Sequence, residues 1–394
     1  MEPKIRFIGH KSNWSVVALD KVTTARNASN ALVNNRNLLS LSYGKIVNKD
    51  IDSNKGLLPS SFSTYQIIEP DTIVFRGTDL QNDKRSLRVA ISKQKGIISP
   101  AYVTMDVTDE NILPDYLYLA MHWHDVAKKS YYKMGDGLRQ TLPYSVLKEL
   151  EIPFPNKSEQ QGIIAYFQKF DAKLQASAKK VESLKKLKSA SLVAMFPQQG
   201  KTTPKVRFKG FEGEWSTSNL GSIFAERIES NENGEMLSVT MNNGIIRSSD
   251  NGRFDNSNSD KSKYKVVKIG DIAYNSMRMW QGASGVSQYE GIVSPAYTVV
   301  TPRIDVNTDF FGYLFKTDDV IRLFKLNSQG LTSDNWNLKY PAFSRICVSY
   351  PESKEEQQAI AAYFRTLDRK IALETARLEK LKQIKLACLD KMFV

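Results

Sequence analysis

The chain has 394 residues, 41% of them hydrophobic, a formal net charge of +13 and two cysteines. No apolar run reaches the roughly 18 residues that crossing a bilayer requires, and Cys347 and Cys388 are too few for a disulfide framework or a four-ligand zinc site. The basic balance points to a polyanionic partner, most simply nucleic acid. The opening residues carry no apolar core of a secretion signal, so the cytoplasm is the expected compartment.

An internal repeat of about 197 residues organises everything else. Pro3 to Phe7 (PKIRF), followed by Trp14, returns as Pro204 to Phe208 (PKVRF), followed by Trp215. Gly96 to Tyr102 (GIISPAY) returns as Gly291 to Tyr297 (GIVSPAY). Glu159-Gln160-Gln161, Ala165-Tyr166-Phe167 and Met195-Phe196 return as Glu356-Gln357-Gln358, Ala362-Tyr363-Phe364 and Met392-Phe393.

In chain order, residues 1–155 read as a mixed α+β domain. Short β-branched and aromatic runs around Tyr65–Ile68, Asp71–Phe75, Gly96–Ile98 and Ala101–Met105 predict strands. Apolar residues at helical spacing predict one helix over Asp115–Lys129. His122 and His124 would share one face of a strand, but no third metal ligand stands at a usual spacing, so a structural role is expected. Trp14 and Trp215 are expected in the core.

Residues 156–197 predict one long helix, capped by Ser158 with Glu159 and Gln161 in its first turn and ended by Pro197. Its apolar stripe runs through Phe167, Phe170, Leu174, Val181, Leu184, Leu187, Leu192 and Met195, close to a coiled-coil seam. About 38 residues at 1.5 Å give a rod of roughly 57 Å. Residues 198–350 repeat the mixed domain after a polar linker. Residues 351–394 repeat the helix, with a stripe through Phe364, Leu367, Ile371, Leu378, Leu381, Ile384, Leu389 and Met392. A lone helix with an apolar stripe is unstable in water. The two stripes are therefore expected to pack on each other, antiparallel, through Leu174, Val181, Leu184 and Leu187 against Ile371, Leu378, Leu381 and Ile384. The Tyr166-Phe167 and Tyr363-Phe364 pairs are expected to fix the globular domains to the helices.

The two copies diverge unevenly. From Ser158–Phe196 set against Glu355–Phe393, 17 of 39 positions are identical, whereas the globular segments align only in islands. Like scaffolds with unlike surfaces suggest two readers of two different things. On duplex DNA, Lys and Arg would supply phosphate affinity and groove-facing Arg, Asn and Gln would supply base choice, at a bipartite and asymmetric site.

These features together resemble the specificity subunit of type I restriction-modification systems, over the whole chain. The resemblance rests on the domain-helix-domain-helix order, the Glu-Gln-Gln helix starts, the Arg-Phe…Trp openings and the two SPAY motifs. It implies two target-recognition domains separated by two long antiparallel helices. The partners it implies are double-stranded DNA, two DNA-methyltransferase subunits and, through them, restriction subunits. It places catalysis elsewhere: S-adenosylmethionine, ATP and Mg would serve the partner subunits and no cofactor this chain. In keeping with that, the sequence contains no phosphate-binding loop, no Asn-Pro-Pro-Tyr-like tetrapeptide and no convincing nuclease constellation. The rival readings are a coiled-coil scaffold without DNA specificity and a nuclease.

Base readers usually stand on loops at the rim of a rigid scaffold. The candidates in the first domain are Arg76, Lys84, Arg85, Arg88, Tyr102 and Arg139. In the second they are Asn275, Arg278, Gln281, Tyr297, Ser333, Asn335 and Asn337.

Overall fold

The computed structural model describes residues 3–33, 35–52, 58–78, 87–126, 142–241, 243–251, 260–330 and 335–393. The chain forms two compact units, residues 1–178 with 376–394, and residues 179–375. The expected segments end where the long helices begin and end. The compact units instead divide each helix, because each helix gives part of its length to each unit.

In the first unit the chain runs through β1 (Ser15–Ala18), α1 (Leu19–Val22), β2 (Thr23–Ala25), β3 (Leu39–Ser42), β4 (Lys45–Asn48), β5 (Gln66–Ile68), β6 (Ile73–Phe75), β7 (Val89–Ile91), β8 (Gly96–Ile98), β9 (Val103–Val107), α2 (Pro114–Val126), α3 (Tyr144–Leu147), β10 (Glu151–Phe154) and α4 (Lys157–Met195). The central sheet has the order β2-β9-β6-β7, and β3-β4, β5-β8 and β1-β10 form two-stranded sheets. The short β-branched runs are thus strands, as their composition predicts. His122 and His124 lie on helix α2, not on a strand, and both are buried. The longer apolar periodicity from Tyr116 overrides the local H-x-H pattern. No group of three or more potential metal ligands occurs among the described residues.

The second unit repeats this plan with β11 (Ser216–Asn219), α5 (Leu220–Ile223), β12 (Phe224–Glu226), β13 (Leu237–Thr240), β14 (Gly244–Arg247), β15 (Lys265–Val267), β16 (Ile272–Asn275), β17 (Ser284–Val286), β18 (Gly291–Val293), β19 (Tyr297–Pro302), α6 (Thr308–Leu314), α7 (Asp318–Asn327), α8 (Tyr340–Phe343), β20 (Cys347–Tyr350) and α9 (Lys354–Met392). Its central sheet is β12-β19-β16-β17, flanked by β13-β14, β15-β18 and β11-β20. The repeated SPAY motif has a structural origin in both copies. A Cβ on Gly96 would stand 2.6 Å from the Asn37 carbonyl oxygen, and one on Gly291 2.2 Å from that of Glu235. Only glycine admits that crossing strand. The following turn closes by Tyr102 N–H to Ser99 O (3.1 Å) and Tyr297 N–H to Ser294 O (2.9 Å).

Helices α4 and α9 begin alike. Asn156 Oδ1 accepts from Glu159 N–H (3.0 Å), and Ser353 Oγ accepts from Glu356 N–H (3.2 Å). The cap is therefore Asn156 and not Ser158, which lies inside the first turn; a cap must precede the first helical residue. Glu159 and Glu356, each 1% exposed, are held by bidentate arginines. Arg6 Nε and Nη2 reach Glu159 at 2.7 and 2.8 Å, and Arg207 reaches Glu356 at 2.7 Å through both nitrogens. The next residue ties each helix to its globular domain. Gln160 Oε1 accepts from Leu113 N–H (2.9 Å), and Gln357 Oε1 accepts from Asn307 N–H (2.8 Å). The repeated Arg-Phe and Glu-Gln motifs are thus the two sides of one joint.

The helices pack antiparallel within each unit. In the first, Lys385 Nζ donates to Asp171 (2.5 Å) and the Tyr166 hydroxyl meets the Cys388 thiol at 3.3 Å. In the second, Lys188 donates to Asp368 (2.5 Å), Lys180 to Glu374 (3.1 Å), and the hydroxyls of Ser191 and Tyr363 meet at 2.9 Å. Burial on α4 recurs at 167, 170, 174, 177, 181, 184, 188, 191 and 195, a strict three-four alternation, and on α9 at 364, 367, 371, 374, 378, 381, 385, 388 and 392. Leu174, Val181, Leu184, Ile371, Leu378 and Leu381 lie on this seam. Leu187 and Ile384 do not: they are 48% and 39% exposed, and Lys188 and Lys385 hold the seam positions beside them. Each helix ends inside a domain core. Phe393 packs among Trp14, Tyr116, Trp123 and Phe167 in the first unit, and Phe196 among Trp215, Phe310 and Phe364 in the second.

Candidate nucleic-acid interface

In the first domain the three described readers are neighbours, since Phe75 pairs with Val103, placing Arg76 beside Tyr102, and Arg76 in turn meets Arg88. Lys84, Arg85 and Arg139 lie outside the described residues. Arg76 follows β6 directly, half-buried, its N–H donating to the Arg88 carbonyl (2.9 Å). Arg88 is 1% exposed and so is no rim residue. Its Nη1 donates to the Thr78 carbonyl (2.6 Å) and its backbone N–H to Asp125 Oδ2 (2.6 Å). A guanidinium given to a backbone carbonyl is the usual arrangement for a buried charge.

Tyr102 is half-buried against the cluster formed by Leu39, Ile68, Val74 and Ala90. It lines an open cleft of about 350 Å³ with Arg26, Asn27, Ser29, Gln66 and Thr104. The cleft is pre-organised. Gln66 Nε2 donates to the Tyr102 carbonyl (2.8 Å), and its Oε1 accepts from the Thr104 hydroxyl (2.7 Å). Arg26 spans the Ile67 carbonyl (2.9 Å) and Asp106 (2.6 Å). Arg26 and Gln66 were not singled out from sequence. The available signal was the recurrence of Arg26 as Arg227, which holds buried Asp271 at 2.6 and 2.9 Å.

In the second domain the structure gathers the expected readers. Asn275 ends β16 opposite Tyr297 of β19. Its Oδ1 accepts from Met277 N–H (3.0 Å), starting a turn that exposes Arg278 and Gln281. Gly282, at φ +79, closes the turn in the left-handed region that favours glycine. The segment carrying Asn335 and Asn337 lies alongside, since Leu338 N–H donates to the Ser276 carbonyl (2.8 Å). Asn335 is exposed and Asn337 half-buried; Ser333 lies outside the described residues. Burial pushes the Tyr297 hydroxyl above its ordinary pKa, opposed by a hydrogen bond to the Val239 backbone and by the Arg278 charge. Tyr297 is half-buried and packs against the cluster of Leu237, Val239 and Val299, so it forms a wall of the site.

Two further groups stand here that sequence reasoning passed over. Trp280 and Trp336 meet edge to face at 5.2 Å between ring centroids, with Lys325 Nζ 5.4 Å from the Trp336 ring centre. Beneath the turn, Lys316 Nζ donates to the carbonyls of Gly282, Ser284 (2.8 Å) and Met241 (3.3 Å). Burial, helped by the nearby Lys188 charge, lowers its pKa to about 8. The turn is therefore held from below by a cation while it presents amide, guanidinium and indole groups outward. Such a set can bind phosphate by charge, base edges by amide and guanidinium, and apolar base surface by indole.

The family profile described as type I restriction modification DNA specificity domain matches residues 12–186 and again residues 212–383. No curated protein matches the chain significantly. Among solved structures, the S subunit of a type I restriction-modification system from M. genitalium is similar at a TM-score of 0.58 and 18% identity, over 100% of this chain and 99% of that one. A structure from work on complex assembly and conformational transition of the type I R-M system is similar at a TM-score of 0.56 and 16% identity, over 97% and 98%. At such identities the likeness concerns the fold.

Proposed function

The chain belongs to the type I restriction modification DNA specificity family, carrying its domain twice, and from that premise we propose that each globular domain reads one half of a bipartite, asymmetric DNA site. The chain is the DNA specificity subunit of a type I restriction-modification system. The observation that carries the half-site reading is the contrast between matched scaffolds and unmatched rims. The sheets and helix joints of the two domains correspond element by element. By contrast, the loop after β6 reads Arg76-Gly77-Thr78 in one copy, and that after β16 reads Ser276-Met277-Arg278 in the other.

The finer assignments follow from the same premise. The antiparallel helices set the spacer between the half-sites and offer their exposed faces to two methyltransferase subunits, which in turn hold the restriction subunits. Methylation and cleavage, with S-adenosylmethionine, ATP and Mg, belong to those partners, and the complex works in the cytoplasm, where its DNA is. No described helix is long and apolar enough to cross a membrane.

Salt titration tests the DNA reading. Binding of the chain, with its methyltransferase, to its methylated site should weaken linearly in log–log terms with a slope of about −0.9 per phosphate contact. Salt-insensitive or absent DNA binding would favour a protein scaffold instead. Metal-dependent cleavage by the chain alone would favour a nuclease.

A further inference from the structure

We infer that Trp280, backed by Trp336, reads thymine through its methyl group in the half-site of the second domain. The inference rests on the DNA reading above and adds a residue and a base to it.

The pair sits where the second domain gathers its polar readers. Trp280 lies in the turn between Asn275 and Gly282, and Trp336 between Asn335 and Asn337. Both indoles are half-buried, with part of each ring open to solvent, and Met277 beside them is 46% exposed. Large apolar surface held at a loop rim marks a contact site more than a core. The surroundings choose the partner. Arg278 and Lys325 are exposed next to the pair, Lys325 over the Trp336 ring; no acidic residue occurs from Asn275 to Val286, and the Trp336 segment carries one, Asp334, outnumbered by these two cations. A cationic rim around aromatic rings suits a nucleic acid and repels an acidic protein surface.

The indole chemistry narrows the contact further. The only donor of Trp280, Nε1–H, is already given to the Met277 carbonyl within its own turn (3.0 Å). Trp280 therefore has no hydrogen bond to offer a base and presents an apolar edge. In the major groove the apolar feature that distinguishes one base is the C5-methyl of thymine. The indole is also rigidly placed: Trp336 packs against it, Lys316 holds the Gly282 carbonyl, and Leu338 N–H holds the Ser276 carbonyl. Rigidity is what lets one methyl group matter. The first copy has no tryptophan between Arg76 and Arg88 or between Val126 and Thr141, so this reader belongs to the second half-site alone.

The test uses the chain with its methyltransferase on its methylated motif, the half-sites being assigned by exchanging residues 1–155. Each thymine is replaced in turn by deoxyuridine, which lacks only the methyl. Wild type should lose affinity about fourfold at one thymine of the second half-site, the worth of one buried methyl group. Trp280→Ala should bind thymine and deoxyuridine there equally, and Trp280→Phe should keep most of the discrimination. Replacements in the first half-site should act identically on all three proteins, which also reports that the variants fold. A second half-site without a T·A pair overturns the inference, as does a Trp280→Ala protein that discriminates as wild type does. DNA bending that depends on Trp280 without thymine discrimination overturns it too, in favour of a wedge between base steps. If no form shows salt-sensitive, site-specific binding, the DNA reading itself fails and this inference with it.

Discussion

At the scale of single residues, the strongest commitments lie at the joints. Glu159 and Glu356 are almost wholly withdrawn from water, and each is matched by one bidentate arginine. Removing the arginine strands a buried carboxylate, which costs far more than losing an exposed ion pair. Arg207→Met should therefore destabilise the chain by about 3 kcal/mol in urea denaturation, whereas Lys382→Ala, which breaks an exposed pair with Glu379, should cost less than about 0.5 kcal/mol. Lys316 gives a second prediction. Its folded pKa of about 8 lies below the ordinary lysine value of 10.5. Between those values the unfolded chain holds more protons, so this residue's contribution to stability rises as pH rises through the window. The difference in urea midpoint between wild type and Lys316→Met should shift in favour of wild type from pH 7.5 to pH 9.5. A constant difference would contradict the depressed pKa.

At the scale of elements, the seam shows what sequence could and could not reveal. Apolar spacing located both helices and most of their contact residues. It misplaced Leu187 and Ile384 because it followed apolarity, while the seam follows phase. The three-four alternation leads to Lys188 and Ser191 on α4 and to Lys385 and Cys388 on α9. Polar residues there are tolerated because each meets a partner: Asp368, Tyr363, Asp171 and Tyr166 respectively. Val181→Gln should accordingly cost about 2 kcal/mol, while Leu187→Gln in the isolated chain should stay within about 0.5 kcal/mol. Equal costs would restore the apolar stripe as the seam. Phe393→Ala and Phe196→Ala, which empty aromatic cores, should each cost about 3–5 kcal/mol. Arg88 was misread for a related reason. A basic residue near a polar loop looks solvent-facing, and nothing local reveals that Thr78 and Asp125 wait to pair with it. The Trp280–Trp336 contact joins residues 56 positions apart in sequence, so no local pattern could announce it.

At the scale of the whole molecule, the repeat was legible from the outset, and its motifs proved to be joints and close approaches rather than readers. Most of the candidate readers stand in the segments that do not repeat, Tyr102 and Tyr297 being the exceptions. Because the helix pair keeps one register, matched deletions should shorten it without disturbing the seam. Removing residues 178–184 from α4 and 371–377 from α9 takes one heptad from each helix, about 10 Å of length. At 3.4 Å per base pair the methylated site should lose about three base pairs of spacer. An unchanged spacer in an active complex would remove the helices from the role of ruler.

The most direct test of two independent readers is the methylated motif itself, mapped before and after residues 1–155 are replaced by the corresponding domain of another family member. One half of the motif should change while the other half stays as it was. A motif that changes in both halves, or in neither, would contradict it.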